Sequence, residues 1–469
     1  MMEEKLPKGW RIITLGKAIS LEYGKGLPKK DRSGAGYPVM GSNGIIDEHF
    51  EYLIEGPGII VGRKGSHGEV VWVDKNFFPI DTTYFVIPKP IVELRFAYYF
   101  LKKSDLKSLN RSTAIPGLNR TDAYNLELPL PPLPEQQRIV AKLDALFGHL
   151  DSLREKLDRI PELLKNFRQQ VLTQAVTGEL TKEWREGKRL QNIQDLVDEI
   201  LKTKEQLIKS KKIRKEKRLT EITEEQKLMN IPNEWDYIKI GKLSSFINGD
   251  RGKNYPNRSE YVSEDGVAFI NTGHIEPNGS LDVTSMNYIS KQKYDSLSGG
   301  KIMSGDLVYC LRGATLGKTA VVTQFNKGAI ASSLVIIRPI KGLNNWYLYY
   351  FLTSPIGKKY IRQYDNGSAQ PNLSAENVRN YVIGLPSLEE QQEIVNRVEV
   401  LFSLADKIES QYASLKTKID QLPKAILTKA FRGELVAQEV KEYVVEEIEG
   451  LMVAEDKERY RLDDKTIKS

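Results

Sequence analysis

From Ile139 to Val171 apolar side chains recur at alternating intervals of four and three residues: Ile139, Leu143, Leu146, Leu150, Leu153, Leu157, Ile160, Leu164, Phe167 and Val171. A second run in the same register comprises Ile394, Val398, Leu401, Ala405, Ile408, Tyr412, Leu415, Ile419, Leu422 and Ile426. This alternation holds one stripe of a helix toward a partner, so both runs predict coiled-coil helices, each the obvious partner of the other. The expected seam is Leu146, Leu150, Leu153, Leu157 and Leu164 with Leu401, Ala405, Ile408, Tyr412 and Ile419. At about 1.5 Å per residue, Ile139 to Val171 spans roughly 50 Å, enough to hold two domains apart. Packing of each helix on its own domain is the ordinary alternative, but globular helices rarely keep strict heptads for so long. Pro161 and Pro423 each remove a backbone hydrogen bond and are expected to kink the helices.

Ahead of each run the pattern changes to short β-branched stretches punctuated by Gly, Pro and Asn. GIIVGRKG (Gly58 to Gly65), EVVWV (Glu69 to Val73) and TYFVI (Thr83 to Ile87) predict strands in the first half. DLVYCL (Asp306 to Leu311), TAVVT (Thr319 to Thr323) and SLVIIRP (Ser333 to Pro339) do so in the second. The fold class expected is α+β, with two β-rich domains and two long helices.

The chain is written twice. LPKGWRIITLGK (Leu6 to Lys17) returns as IPNEWDYIKIGK (Ile231 to Lys242), and PPLPEQQRIVAKLDALF (Pro131 to Phe147) as PSLEEQQEIVNRVEVLF (Pro386 to Phe402). QQVLTQAVTGEL (Gln169 to Leu180) returns as KAILTKAFRGEL (Lys424 to Leu435). From about Arg111 to Leu180 the copies align without a gap, whereas upstream they diverge almost completely. A shared scaffold with two different faces is the implication. The boundaries expected are a β-rich domain over 1–131, a helix over 132–185, a charged helical linker over 186–230, a second β-rich domain over 231–386, a second helix over 387–436 and a charged tail over 437–469. The stretch Thr181 to Asn230 contains KSKKIRKEKR (Lys209 to Arg218). Its ordinary reading is a solvated linker, with DNA-backbone contact the lesser one.

Composition narrows the function. A chain of 469 residues implies two to four domains. A net charge of +7 weakly favours an acidic partner such as nucleic acid. Cys310 is the single cysteine, and His49, His67, His149 and His274 show no ligand spacing, so no metal site is expected. The start MMEEKLPKGW lacks the apolar core of a signal peptide and no run is long enough to cross a bilayer, so a cytoplasmic location is expected. RGATLGKT (Arg312 to Thr319) has one residue too few between its glycines for a phosphate-binding loop, and TAVVT after it reads as a strand. No methyltransferase or dinucleotide-binding motif is present. The expected set of catalytic residues is empty.

These features together resemble the specificity (S) subunits of Type I restriction–modification enzymes. The resemblance covers nearly the whole chain and is carried by LPLPPLPEQQRIV (Leu128 to Val140), LPSLEEQQEIV (Leu385 to Val395), IPELLKNFRQQVLTQAVTGELTKEWR (Ile160 to Arg185) and LPKAILTKAFRGEL (Leu422 to Leu435). It implies that each β-rich part is a target recognition domain reading half of a split DNA site. It also implies that the helices pair antiparallel as a spacer with a pseudo-twofold relation between the halves. Two methyltransferase (M) subunits would dock on this frame and two restriction (R) subunits join them for cleavage. The chain would be a non-catalytic part of an adenine-N6 methyltransferase and restriction endonuclease complex. S-adenosylmethionine, ATP and Mg²⁺ would be bound by the partners, none by this chain.

Readers of double-stranded DNA need cations for phosphates and Arg, Asn, Gln, Ser or Thr for base edges. In the first half the candidates are Lys25, Lys29, Lys30, Asn43, Arg63, Lys64, Ser66, His67, Arg111, Ser112 and Thr113. In the second they are Arg251, Lys253, Asn271, Thr272, His274, Arg312, Thr315, Lys318, Ser368 and Gln370. For any single residue the alternative is an ordinary solvated loop side chain. Competing functions are a specificity subunit of a methyltransferase-only system or an orphan copy, a coiled-coil scaffold that binds proteins alone, and a nuclease with an unrecognised site.

Overall fold

Four antiparallel strands recur in each half in the same order. In the first, β1 (Ile19–Tyr23), β2 (Gly58–Gly62), β3 (Val70–Val73) and β4 (Thr83–Pro88) form a sheet ordered β1-β4-β2-β3. In the second, β5 (Ser244–Asn248), β6 (Leu307–Cys310), β7 (Thr319–Val321) and β8 (Leu334–Pro339) are ordered β5-β8-β6-β7. Six of these match strands expected from the sequence, while β1 and β5, which open the two sheets, are not among those expected. The computed structural model describes residues 6–109, 117–263, 265–364 and 372–437. It divides into unit 1, the chain to residue 158 with that from 412 onward, and unit 2, residues 159–411.

Successive side chains of a strand point to opposite faces, and here both faces are buried. Leu307, Tyr309, Val335 and Ile337 join the core beneath the helices of unit 2, while Val308, Cys310, Leu334 and Ile336 join a separate core. In unit 1, Ile59 and Val61 face the helical side and Ile60 packs with Met40, Val73 and Phe77. Beyond the shared sheet the units differ. Unit 1 adds three strands centred on Tyr37–Gly41, and unit 2 adds five centred on Val267–Ile270.

Each domain is closed where its first and last strands zip together, Arg11–Thr14 with Glu127–Leu130 and Asp236–Lys239 with Val382–Leu385. The zipper sets the entering tryptophan beside the first turn of the long helix, α1 (Leu133–Asp158) in unit 1. Trp10 Nε1 donates to Glu135 at 3.0 Å, and in unit 2 Trp235 Nε1 donates to Glu390 at 2.9 Å. The next residue staples the loop before the first domain helix. Gln136 accepts from the Glu93 amide and donates to the Ile91 and Pro131 carbonyls. Gln391 accepts from Asn344 and donates to Gly342 and Pro386. The paired PEQQ and EEQQ motifs are thus buried polar clasps.

The helices that follow are α2 (Ile160–Thr177), α3 (Ile193–Lys209), α4 (Pro355–Tyr364) and α5 (Leu388–Ala430). Within unit 1, Arg154 meets Asp420 at 3.8 Å and Asp158 meets Lys416 at 3.1 Å. One helix advances as the other retreats, so they run antiparallel. Within unit 2, Arg168 meets Asp406 at 2.6 Å and Glu409 at 2.8 Å, and Arg397 donates to the Leu180 carbonyl. Helix α2 ends in Gly178 at φ +79°, where a Cβ would stand 2.5 Å from Pro232 Cγ. Gly433, at φ +75°, packs on Pro7 and Trp10 in the same way. Each helix end therefore caps the domain of its own unit.

Several expectations need correction. The seam is narrower than its heptads suggest. Leu150, Leu157, Leu164, Ala405 and Ile419 are buried and Leu146, Leu401 and Tyr412 half-buried, but Leu153 and Ile408 are 45% and 40% exposed. A two-helix contact has buried one every-seventh line and left the other to solvent. Pro161 does not kink a helix: α1 stops at Asp158 and Pro161 sits in the first turn of α2, where no amide partner is required. Helix α5 continues through Pro423 to Ala430. The expected solvated linker is packed along one face, where Ile193, Leu196, Val197 and Ile200 of α3 enter the core of unit 2, while its charged residues stay largely exposed.

Leaving a buried hydrogen-bonding group unpaired costs about 1–3 kcal/mol. Gln391→Leu should lower the denaturant midpoint of unit 2 by an amount equivalent to roughly 3 kcal/mol, whereas exposed Gln392→Leu should cost under about 0.5 kcal/mol. Equal effects in chemical denaturation followed by circular dichroism would contradict the clasp.

Candidate nucleic-acid interface

The loops at one end of each four-stranded sheet are tied together by main-chain hydrogen bonds. In unit 1 the amides of Arg63 and Lys64 donate to the Thr82 carbonyl, and Lys25 donates to Pro79. The Ser42 hydroxyl lies 2.7 Å from the carbonyls of both Lys64 and Thr82. Leu118 donates to Arg63, and Lys64 forms an isolated bridge with Gly117. Four stretches far apart in the chain, around Lys25, Asn43, Lys64 and Gly117, are thereby gathered.

Unit 2 repeats the tie with different residues. Leu373 donates to the Leu311 carbonyl at 2.9 Å and Arg312 bridges Asn372. The loop between β6 and β7 folds back through Gly317 N to Cys310 O and Cys310 N to Lys318 O. Lys318 Nζ reaches the Ile275 carbonyl at 3.2 Å, linking this loop to the turn at Asn271. Thr319 opens a strand, which rules out a phosphate-cradling helix after this glycine loop.

Lys25, Lys29, Lys30, Asn43, Lys64 and Ser66 are exposed in unit 1, as are Arg251, Arg312 and Lys318 in unit 2. Lys253 lies in the short turn Gly252–Asn254. Thr272 and Thr315 are half-buried, the latter 3.3 Å from Cys310 Sγ. Arg63 is less free than the sequence suggests, because Nε donates to the Asp81 carbonyl at 3.0 Å and the guanidinium lies 5.3 Å from the Tyr23 ring centre. His67 is held between the Gly65 and Lys107 carbonyls, both at 3.2 Å. Asn271 spends its side chain on the Gly273 amide. Arg111, Ser112, Thr113, Ser368 and Gln370 lie outside the described residues.

His274 does not present itself to a ligand. It is buried, and its Nδ1 accepts from the Asn271 amide in a cap. The turn needs an acceptor at that point, and the ring supplies it facing inward. Burial lowers its pKa. The sequence reading missed Tyr23 and Arg120, which stack at 5.1 Å beside Arg63. Nothing in local spacing connects them. It also missed Ile45 and Ile46, exposed beside the Gly41–Gly44 turn, where two consecutive apolar positions break the strand alternation, and Phe50, exposed just past the far end of that strand. Among the described residues no group of three or more His, Cys, Asp or Glu could hold a metal ion. No described helix is long and apolar enough to cross a membrane.

A family model described as the Type I restriction modification DNA specificity domain matches residues 7–162 and 232–416. The chain is 31% identical to the EcoBI Type I restriction enzyme specificity subunit of Escherichia coli, over 82% of this chain and 75% of that one. The HsdS subunit from Thermoanaerobacter tengcongensis superposes with a TM-score of 0.56 at 21% identity, covering 92% of this chain and 98% of the other. A chain from work on complex assembly and conformational transition of the type I R-M system gives 0.61 at 20% identity, covering 92% and 99%.

The buried neutral state of His274 makes a pH prediction. The folded ring resists a proton that the unfolded chain accepts near its ordinary value of about 6.5. Its stabilisation is therefore complete above that pH and is lost as pH falls toward the lowered folded value. His274→Gln should flatten the drop in denaturation midpoint below about pH 6.5; an equally steep drop in the variant would refute this.

Proposed function

The chain belongs to the Type I restriction–modification DNA specificity family, and on that footing we propose that its two units each read one half of a bipartite DNA site. The observation that carries this is the equivalent loop cluster in both units. The main-chain tie Leu118 to Arg63 corresponds to Leu373 to Leu311, yet the side chains around it differ. A common frame with unlike side chains is what two different words require.

Exposed Lys25, Lys29, Lys30, Lys64 and Lys318 are suited to phosphates, which give affinity without sequence information. Arg251, Arg312, Asn43 and Ser66 are suited to base edges. The antiparallel helices act as the spacer. Their exposed apolar line, Leu153, Leu415 and Leu422 in unit 1 and Val400, Leu404 and Ile408 in unit 2, is the docking surface for two methyltransferase subunits. Two restriction subunits join through these. Adenine methylation with S-adenosylmethionine and DNA cleavage with ATP and Mg²⁺ belong to those partners, and this chain contributes address rather than chemistry.

Mapping methylated adenines in cells carrying Arg312→Ala tests the assignment. A base contact contributes about 1–3 kcal/mol of discrimination at one position, so preference should relax at a single position in one half-site only. Relaxation in both halves, or a continuous recognition word, would overturn the reading. Val400→Glu with Leu404→Glu should weaken methyltransferase association at least about tenfold, the equivalent of about 1.4 kcal/mol, with an unchanged unfolding midpoint.

A further inference from the structure

The seven basic residues of KSKKIRKEKR are not a floppy run. After α3 ends at Lys209 the chain crosses unit 2 as an irregular strap pinned at every third residue. Ile213 packs against the core, Glu216 turns inward, and Leu219 sits over Gly241. Glu216 meets Lys204 Nζ at 3.0 Å and Arg379 at 3.3 Å and accepts from the Phe246 amide. Arg379 also donates to the Lys217 carbonyl at 2.9 Å. The strap's single acid is thus consumed internally.

Within Lys209–Arg218 every exposed charge is cationic; the exposed acids Glu221, Glu224 and Glu225 come after it, Glu224 paired with Lys227. Lys209, Lys211, Lys212, Arg214, Lys215, Lys217 and Arg218 are all exposed. The chain then reaches Gln226, whose carbonyl accepts from Tyr360 and whose amide donates to Tyr364, both on α4. That helix exposes Lys358, Lys359 and Arg362, while its Ile361 packs against the Leu311–Lys318 loop at Gly317. Among the described residues none of these ten cations pairs with a carboxylate.

We propose that the strap and the exposed face of α4 grip the phosphate backbone of duplex DNA beside the bases read by unit 2. Fixed like charges repel one another, and a polyanion relieves that repulsion while releasing its own counterions. A protein partner would call for apolar or aromatic anchors, and protein interfaces are depleted in lysine. Here Ile213 and Leu219, the apolar residues of the strap, both point inward. The proposal rests on DNA being what unit 2 reads, but adds a sequence-independent contact outside the reading loops.

The test uses the full complex with methyltransferase and the chain carrying Lys211→Gln, Lys212→Gln, Arg214→Gln, Lys215→Gln and Lys217→Gln. Affinity for a duplex bearing the mapped site is measured over a salt series. Each lost phosphate contact flattens the slope of log K against log salt by about 0.9, so a change of at least about 2 is expected, with roughly tenfold or greater weakening at low salt. The methylated sequence should not change, and the charge-preserving Lys211→Arg, Lys212→Arg, Lys215→Arg and Lys217→Arg should leave the slope as it is. An unchanged slope overturns the proposal, as does loss of complex assembly at unchanged slope, which would mark an acidic protein as the partner. An altered methylation sequence overturns it too, since the strap would then read bases. A parent complex that marks no bipartite site instead overturns the reading function itself, whereas the strap alone fails if bipartite marking persists with the slope unmoved.

Discussion

A carboxylate removed from water must be ringed by donors, and removing one partner of such a group costs several kcal/mol. Glu135 and Glu390 are in this position, 3% and 0% exposed at the starts of the long helices. Trp10 and Trp235 supply the indole donors, and in unit 2 Thr181 and Arg185 add theirs. The first turn of a helix also favours negative charge, because its amides point at the side chain. One acid therefore fixes the entering strand, the helix start and, in unit 2, the returning end of α2. The adjacent Gln136 and Gln391 extend the clasp to the loop before the domain helix. Remove this anchor and the sheet loses its alignment to the helix.

The clasp also explains how two domains can share a frame while differing in what they present. The sheets are stabilised by burial on both faces, and the loops at their ends are tied mostly through main-chain amides and carbonyls. Main-chain ties do not depend on side-chain identity. Lys64 and Arg312, or Ser66 and Thr315, can change without loosening the frame. Divergence is concentrated where it costs least stability and changes the message most.

Much of this was legible in one dimension. The strand runs at Gly58 and Asp306, the failure of the Arg312 loop as a phosphate site, and the duplicated helices all follow from local pattern. Legibility stopped where contacts between distant residues decide the outcome. The heptads of α1 and α5 show two apolar lines, but only packing shows that Leu150 and Leu157 are covered while Leu153 is not. His274 looked like a donor to DNA, yet its ring closes a turn. The charged stretch before Asn230 looked solvated because its charge count hides that Glu216 and Lys204 face inward together.

By itself the sequence determined the duplication, the period of each element and the absence of familiar catalytic motifs, because these are properties of neighbouring residues and of repeated words. The tertiary structure alone decided which charges are neutralised, which apolar line remains open and which loops meet. Those depend on pairings such as Trp10 with Glu135 and Arg168 with Asp406, whose partners lie far apart along the chain. Periodicity records which way a side chain points from its own helix or strand. It holds no record of what stands opposite.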